Sequence, residues 1–272
     1  PPSIPGYVQV GAGLMLGQLK SNMEEDLGGG KNSAQFRFLS KDLEYFSGVY
    51  PVGISIHSHA GNLPTAVYSL RVVNSDEAVS TMKFYYRFWP LLGHLYPSAF
   101  VGSVSDVLTT DNTGTELFST TISALGGGLR LEYLFTPWLW SPQDPNDWFG
   151  LAPGSVWVEG LYSPFVTASD RGPSRGTSSS GSTMLDWRAS ATANIWVGFI
   201  PLIKNYFVQA SYGVRSYSLS FQGETINESI NPAEFPRGLR PKESEIDIRF
   251  IFGLRIIDPF ELLFQDKKKK TK

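Results

Sequence analysis

From Leu185 to Phe199 the residue types alternate without a break. Leu185, Trp187, Ala189, Ala191, Ala193, Ile195, Val197 and Phe199 fall on one face, and Asp186, Arg188, Ser190, Thr192, Asn194, Trp196 and Gly198 on the other. A period of two belongs to an extended strand, whose side chains point alternately to opposite sides of a sheet. Strands of soluble proteins usually run about five or six residues, whereas a tilted strand needs about 9 to 11 to cross a bilayer. This run is long enough to cross and to project beyond. If its apolar face meets lipid and its polar face lines an interior, the chain is a transmembrane barrel.

Composition restricts the alternatives. No run of about 18 apolar residues exists to form a membrane helix, so insertion would have to be by strands. The 27 glycines, 18 phenylalanines, 12 tyrosines and 7 tryptophans suit a curved sheet with aromatic girdles at two interfaces. With no cysteine, disulfide frameworks, thiol catalysis and cysteine-ligated zinc are excluded. A net charge of -2 offers no global basic field for nucleic acid. The chain opens on Pro1-Pro2-Ser3-Ile4-Pro5 with no charged-then-apolar leader, the form expected after removal of a signal peptide or an upstream segment.

Nine further segments read as strands. Val8, Val10, Ala12, Leu14 and Leu16 oppose Gln9, Gly11, Gly13 and Gly17 within 7–19; 206–215 and 245–256 alternate as cleanly. Less regular runs cover 46–59, 65–73, 81–89, 98–108, 119–135 and 155–167. The expectation is about ten strands, with eight and twelve as the neighbouring even counts. Long external loops are expected at about 20–45, 74–80, 109–118, 168–184 and 222–244, and shorter periplasmic turns at about 60–64, 90–97, 136–154 and 200–204. The segment 33–39 also alternates, as an extra strand or an extension within the first loop. Trp138, Trp140 and Trp148 read as rings at headgroup depth. The barrel domain is expected to span 1–260, followed by a polar tail over 261–272 whose lysine run, 267–270, is a solvated stretch or an attraction to anionic headgroups.

The polar faces carry charge in mid-strand: Arg71, Lys83, Arg87, Arg130, Glu132, Glu159, Asp186, Arg188, Arg215, Asp247, Arg249 and Arg255. In a soluble sandwich these would face solvent. Combined with the length and monotony of the apolar faces, they point instead to a lumen. Residues 7–19, 185–199, 206–215 and 245–256 together resemble the small outer-membrane β-barrel proteins of Gram-negative bacteria. The resemblance implies an all-β, antiparallel up-and-down barrel in the outer membrane with both termini periplasmic. It is one of pattern and selects no branch. Such barrels often end on an aromatic that assists assembly; here Phe260 is followed by 261–272.

A ten-stranded interior is only slightly wider than one that side chains fill. Arg87, Arg130, Glu132, Asp186, Arg188, Arg215, Asp247, Arg249 and Arg255 are therefore expected to cross-link the walls as a charge network, since an unpaired charge away from water is costly. The basic bias of the strand charges would make any water path lean toward anions. Ser55, His57 and His59 share a strand face, where two imidazoles could chelate a metal or His57 could activate Ser55 for lipid hydrolysis. No orienting acid is evident, and the expected role is a polar one at the rim, with no metal and no cofactor. The function expected is a non-enzymatic anchor or interaction component of an envelope assembly. Its contacts are outer-membrane lipid and envelope proteins met through the external loops or the periplasmic face, with no nucleic acid. A narrow anion-leaning pore and a lipid-modifying enzyme are the alternatives.

Overall fold

A computed structural model describes residues 6–21, 32–47, 50–63, 74–112, 115–135, 149–171, 178–197, 205–219, 221–222 and 242–257. In it the chain closes on itself as a barrel of ten long strands: β1 (Tyr7–Ser21), β2 (Asn32–Phe46), β3 (Val52–Leu63), β4 (Asn74–Arg87), β5 (Leu95–Asn112), β6 (Thr115–Phe135), β7 (Phe149–Arg171), β8 (Ser178–Val197), β9 (Asn205–Ser218) and β11 (Lys242–Ile257). A two-residue strand, β10 (Phe221–Gln222), pairs with the start of β8. Each long strand pairs antiparallel with its neighbour in sequence, and β1 closes the circle against β11. Closure leaves no edge, the condition for a sheet to span lipid.

The hydrogen-bonded rows are staggered. Starting at Val10, near the start of β1, partners run through Leu43, Ile56, Met82, Ser103 and Leu125 to Phe165 in the second half of β7. Such stagger tilts strands by about 35–45° in barrels of this kind. The starts of β1, β3, β5, β7 and β9 and the end of β11 lie at one rim, called here the terminal end; the opposite rim is the distal end.

Polarity is inverted throughout. On β8, Asp186, Arg188, Ser190, Thr192 and Asn194 are buried, while Leu185, Trp187, Ala191 and Ala193 are exposed. β9 repeats the pattern, with Val208 and Tyr212 outside and Gln209, Ser211 and Arg215 inside. A soluble barrel would place the leucines within and the arginines without. Exposed tyrosines and tryptophans edge the apolar wall: Tyr86, Trp89 and Tyr133 toward the terminal end, Tyr162 and Trp187 toward the distal end.

The strand count of ten agrees with the sequence pattern, but one member differs. Asn32–Phe46, most of it assigned to an external loop, is β2. The expected strand over 65–73 lies outside the described residues. The run 46–59 is two strands, divided where the amide of Tyr50 donates to Ser47 Oγ at 3.0 Å and the amide of Ser47 to the Val52 carbonyl. β3 continues to Leu63 and ends distally, so no terminal-end turn occupies 60–64. Residues 74–80 belong to β4, and the loops expected at 109–118, 168–184 and 222–244 are shortened by the strands that enter them. At the terminal end, 88–94 forms a tight connection bridged by Leu91 and Leu95, with Leu92 and Gly93 at positive φ.

Candidate functional site

The polar interior is the only extensive constellation of chemistry among the described residues, and three groups of side chains fill it. Near the terminal end, Arg130 donates to Glu44 across the lumen and lies 3.6 Å from Glu132, which also receives Arg87 at 2.9 Å. Lys83 meets Glu159 at 2.5 Å, and the hydroxyls of Tyr85 and Tyr7 donate to Glu159 and Glu44 at 3.0 and 3.1 Å. Aromatic rings seal this layer. Arg130 lies over Trp157 with 4.3 Å to the centroid, and Arg87 over Phe46 at 4.1 Å. Such contacts let guanidinium groups be buried with little water.

The middle layer is built on Asp247. Arg188 binds it with both terminal nitrogens, at 2.7 and 2.8 Å, and Arg249 Nε adds a bond at 2.9 Å. Arg188 and Asp247 stand two strands apart, and the residue between them in the same row is Gly213. A Cβ there would lie 2.4 Å from the guanidinium, so the missing side chain is what lets Arg188 lie flat across β9. Gln9 and Gln209 join the walls nearby with a 3.1 Å bond.

Toward the distal end Arg215 stands between Asp186, at 3.4 Å, and Glu245, at 3.6 Å, while Tyr217 donates to Asp106 at 3.1 Å. A line of acid and imidazole groups leads here from the middle. Asp42 Oδ1 is 2.5 Å from His57 Nδ1, His57 Nε2 is 3.2 Å from His59 Nδ1, and His59 Nε2 is 3.9 Å from Glu245.

Eight of the nine charges assigned to the lumen from sequence, Arg87, Arg130, Glu132, Asp186, Arg188, Arg215, Asp247 and Arg249, are buried inside the wall. Arg255 is half-buried and rests on the Tyr7 ring, 3.9 Å from its centroid. Arg71, Trp138, Trp140, Trp148 and the tail over 261–272 lie outside the described residues. Asp42, Glu44, Glu77, Asp106 and Glu245 also face inward. With them the described interior holds more carboxylates than basic groups, which removes the basic bias read from the strands. Asp42, Glu44 and Glu77 fall in segments whose sequence pattern predicts loops, which hides their direction; strand parity points Asp106 and Glu245 inward.

The proposed catalytic pair is not assembled. Ser55 Oγ lies 3.2 Å from the Tyr85 hydroxyl, and both ring nitrogens of His57 are engaged by Asp42 and His59. An orienting acid, Asp42, is present, but the ring it holds does not address Ser55. Among the described residues no group of three or more histidine, aspartate or glutamate side chains is arranged to hold a metal ion.

Among the described residues, one cavity between the layers measures about 50 Å³ and is bordered by Gln9, His57, Lys83, Arg130, Arg188 and Arg249 among others. At roughly 10–15 Å³ for each water, it accommodates a few water molecules.

An apolar outer wall, closed hydrogen bonding and a charged interior define the class: this is a transmembrane β-barrel of the outer-membrane type. No family model and no curated protein matches the chain. Among solved structures it is similar to the outer membrane protease OmpT from Escherichia coli, at 10% identity and a TM-score of 0.46, with 94% of this chain and 97% of that one covered. It is also similar to a deletion mutant of the monoaromatic hydrocarbon channel TodX, at 10% identity and a TM-score of 0.32, covering 93% and 91%. The P. putida toluene transporter TodX aligns at 10% identity and a TM-score of 0.29, covering 94% and 91%. The assignment to the class rests on the wall and its contents.

Proposed function

We propose that this barrel is a non-enzymatic anchor and interaction component of the bacterial outer membrane, with the terminal end in the periplasm. The observation that carries the proposal is the interlocked lumen. Arg130, Arg188 and Arg215 each reach carboxylates on other strands, and the cavity between these layers is only about 50 Å³. A rigid plug serves a scaffold and obstructs a conduit. Enzymatic action on lipid is disfavoured because Ser55 and His57 are bonded to other partners. The work is then left to surfaces. The terminal end offers Tyr50, Trp89, Leu91 and Leu92, all exposed, with Leu92 exposed at 94% on its tight connection. Envelope proteins are the partners this reading calls for.

Recording from the purified, folded barrel in a planar lipid bilayer tests the reading. A barrel that migrates as a folded species yet passes no steady current is the expected result. Steady conductance that changes on Arg188→Ala would overturn it in favour of a pore. For the enzymatic alternative, the membrane lipid profile should be the same with the native chain as with Ser55→Ala and His57→Ala combined.

A further inference from the structure

The outer wall is not uniform. Lys41 is exposed on the outer face of β2, beside Ala12 of β1 and Ser58 of β3 in the hydrogen-bonded row. Ala12 is the midpoint of the outward run Val8 to Leu16 and pairs with Phe252, the midpoint of the outward run Ile248 to Ile256. Lys41 therefore lies at the level where β1 and β11 are most deeply in hydrocarbon. Among the residues whose side chains are described, the other outward charge is Asp76, close to the distal start of β4. The row continues Lys41, Ser58, Ser80, Ser105, Ser123, one outward polar residue on each of five successive strands. At about 4.8 Å per strand it runs roughly 19 Å obliquely across the wall.

Other strands at matching height show that this is local. Six residues distal to Tyr86 on β4 stands Ser80, whereas six distal to Tyr206 on β9 stands Tyr212. Four residues distal to Tyr45 stands Lys41, whereas four distal to Tyr133 on β6 stands Leu129. A groove of about 490 Å³ adjoins the lysine, lined by Val10, Ala12, Ile56, Ser58 and Phe252 together with Lys41 itself.

A lysine on the lipid face costs about 2–4 kcal/mol at the midplane. Charges at that depth almost always pair with protein groups, and small and hydroxyl side chains mark contacts between membrane-spanning segments. We propose that the β1–β6 flank is a lateral docking surface for a membrane-spanning segment of another protein, whose carboxylate pairs with Lys41 while its backbone packs along the serine row. Three features select this occupant. Asp42 also borders the groove but turns its carboxylate inward to His57, so Lys41 carries the only outward-facing charge there and its complement is an anion. Its depth, level with the midpoints of the outward runs of β1 and β11, is not that of lipid headgroups. A two-fold contact with a second copy through this groove would set Lys41 against Lys41. The inference rests on the interaction reading above and assigns it a surface.

Photo-crosslinking in cells expressing the full chain tests it, with the reactive residue placed in turn at Ser80, at Val208 on the opposite wall, and at Leu92. Expected from Ser80 is an adduct to one protein, at least about tenfold stronger than from Val208, retained in Lys41→Arg and lost in both Lys41→Met and Lys41→Glu. Heat-modifiable migration establishes that each variant is assembled. In phosphatidylcholine vesicles without any partner, Lys41→Met should raise the thermal unfolding midpoint by a few °C, because the charge then leaves lipid. An adduct insensitive to Lys41, an adduct to lipid alone, or an adduct to a second copy of the chain overturns the proposal. A protein adduct from Leu92 with none from Ser80 removes the lateral surface and leaves the interaction reading standing. Silence at all three positions removes both.

Discussion

Asp247 is the residue on which the interior is most dependent, because two guanidinium groups share it. Replacing it strands both, whereas removing Arg188 leaves Asp247 with Arg249. Asp247→Leu should therefore destabilise the barrel by about 3–5 kcal/mol, and Arg188→Met by less, as read from urea unfolding in vesicles. Equal losses would mean that Arg249 does not share the carboxylate. Gly213→Ala should cost about 1–3 kcal/mol in the native chain and much less alongside Arg188→Ala, because the three atoms nearest an added Cβ all belong to that guanidinium. Residues such as Arg188 and Asp247 were legible in the sequence, since parity along a clean strand fixes which way they point. Their pairings were not. The partner of Arg130 is Glu44, four strands away round the wall, a contact that closure of the barrel decides and local spacing does not show; the partner of His57 is Asp42, its neighbour across the β2–β3 register, hidden because β2 does not read as a strand.

At the scale of the strand, alternation located β1, β8, β9 and β11 and failed at β2 for a physical reason. Around Lys41 both faces of β2 are polar: Ser40, Asp42 and Glu44 point inward while Lys41 points outward, so the two-faced signature vanishes in mid-strand. The same residue that hid the strand marks the unusual flank of the wall. The joint between β2 and β3 was obscured in the opposite way, because Phe46 and Val52 to Ile56 read as one apolar run across the turn at Ser47 and Pro51. Where alternation is clean it makes a sharp prediction. Ala191 is exposed and Thr192 is buried in the lumen beside polar neighbours. Ala191→Asp should impair assembly by up to a few kcal/mol, while Thr192→Asp should be tolerated, as judged by the heat-modifiable fraction in the membrane. Equal tolerance would contradict the assigned faces.

For the whole molecule, the sequence pattern supports a closed barrel but misjudges the sign of its interior, because acids on β2 and β4 were set aside as loop residues. Opening the terminal-end layer makes that sign measurable. Arg130→Ser combined with Trp157→Gly removes a cation and the ring beneath it, leaving Glu44, Glu132 and Glu159 around the gap. A silent barrel so altered should conduct and prefer cations, seen as a shift of reversal potential in a salt gradient; preference for anions would restore the basic-lumen reading. The central claim is the inversion itself, a wall that turns leucine to lipid and arginine to a sealed core. Spin labels placed singly along 185–195 in vesicles test it most directly, through their collision rates with oxygen, which concentrates in lipid, and with a water-soluble nickel chelate. The account predicts an oxygen maximum at every odd position, with Ala189 and Ala191 the most shielded from nickel. Strong nickel contact at the odd positions would contradict it.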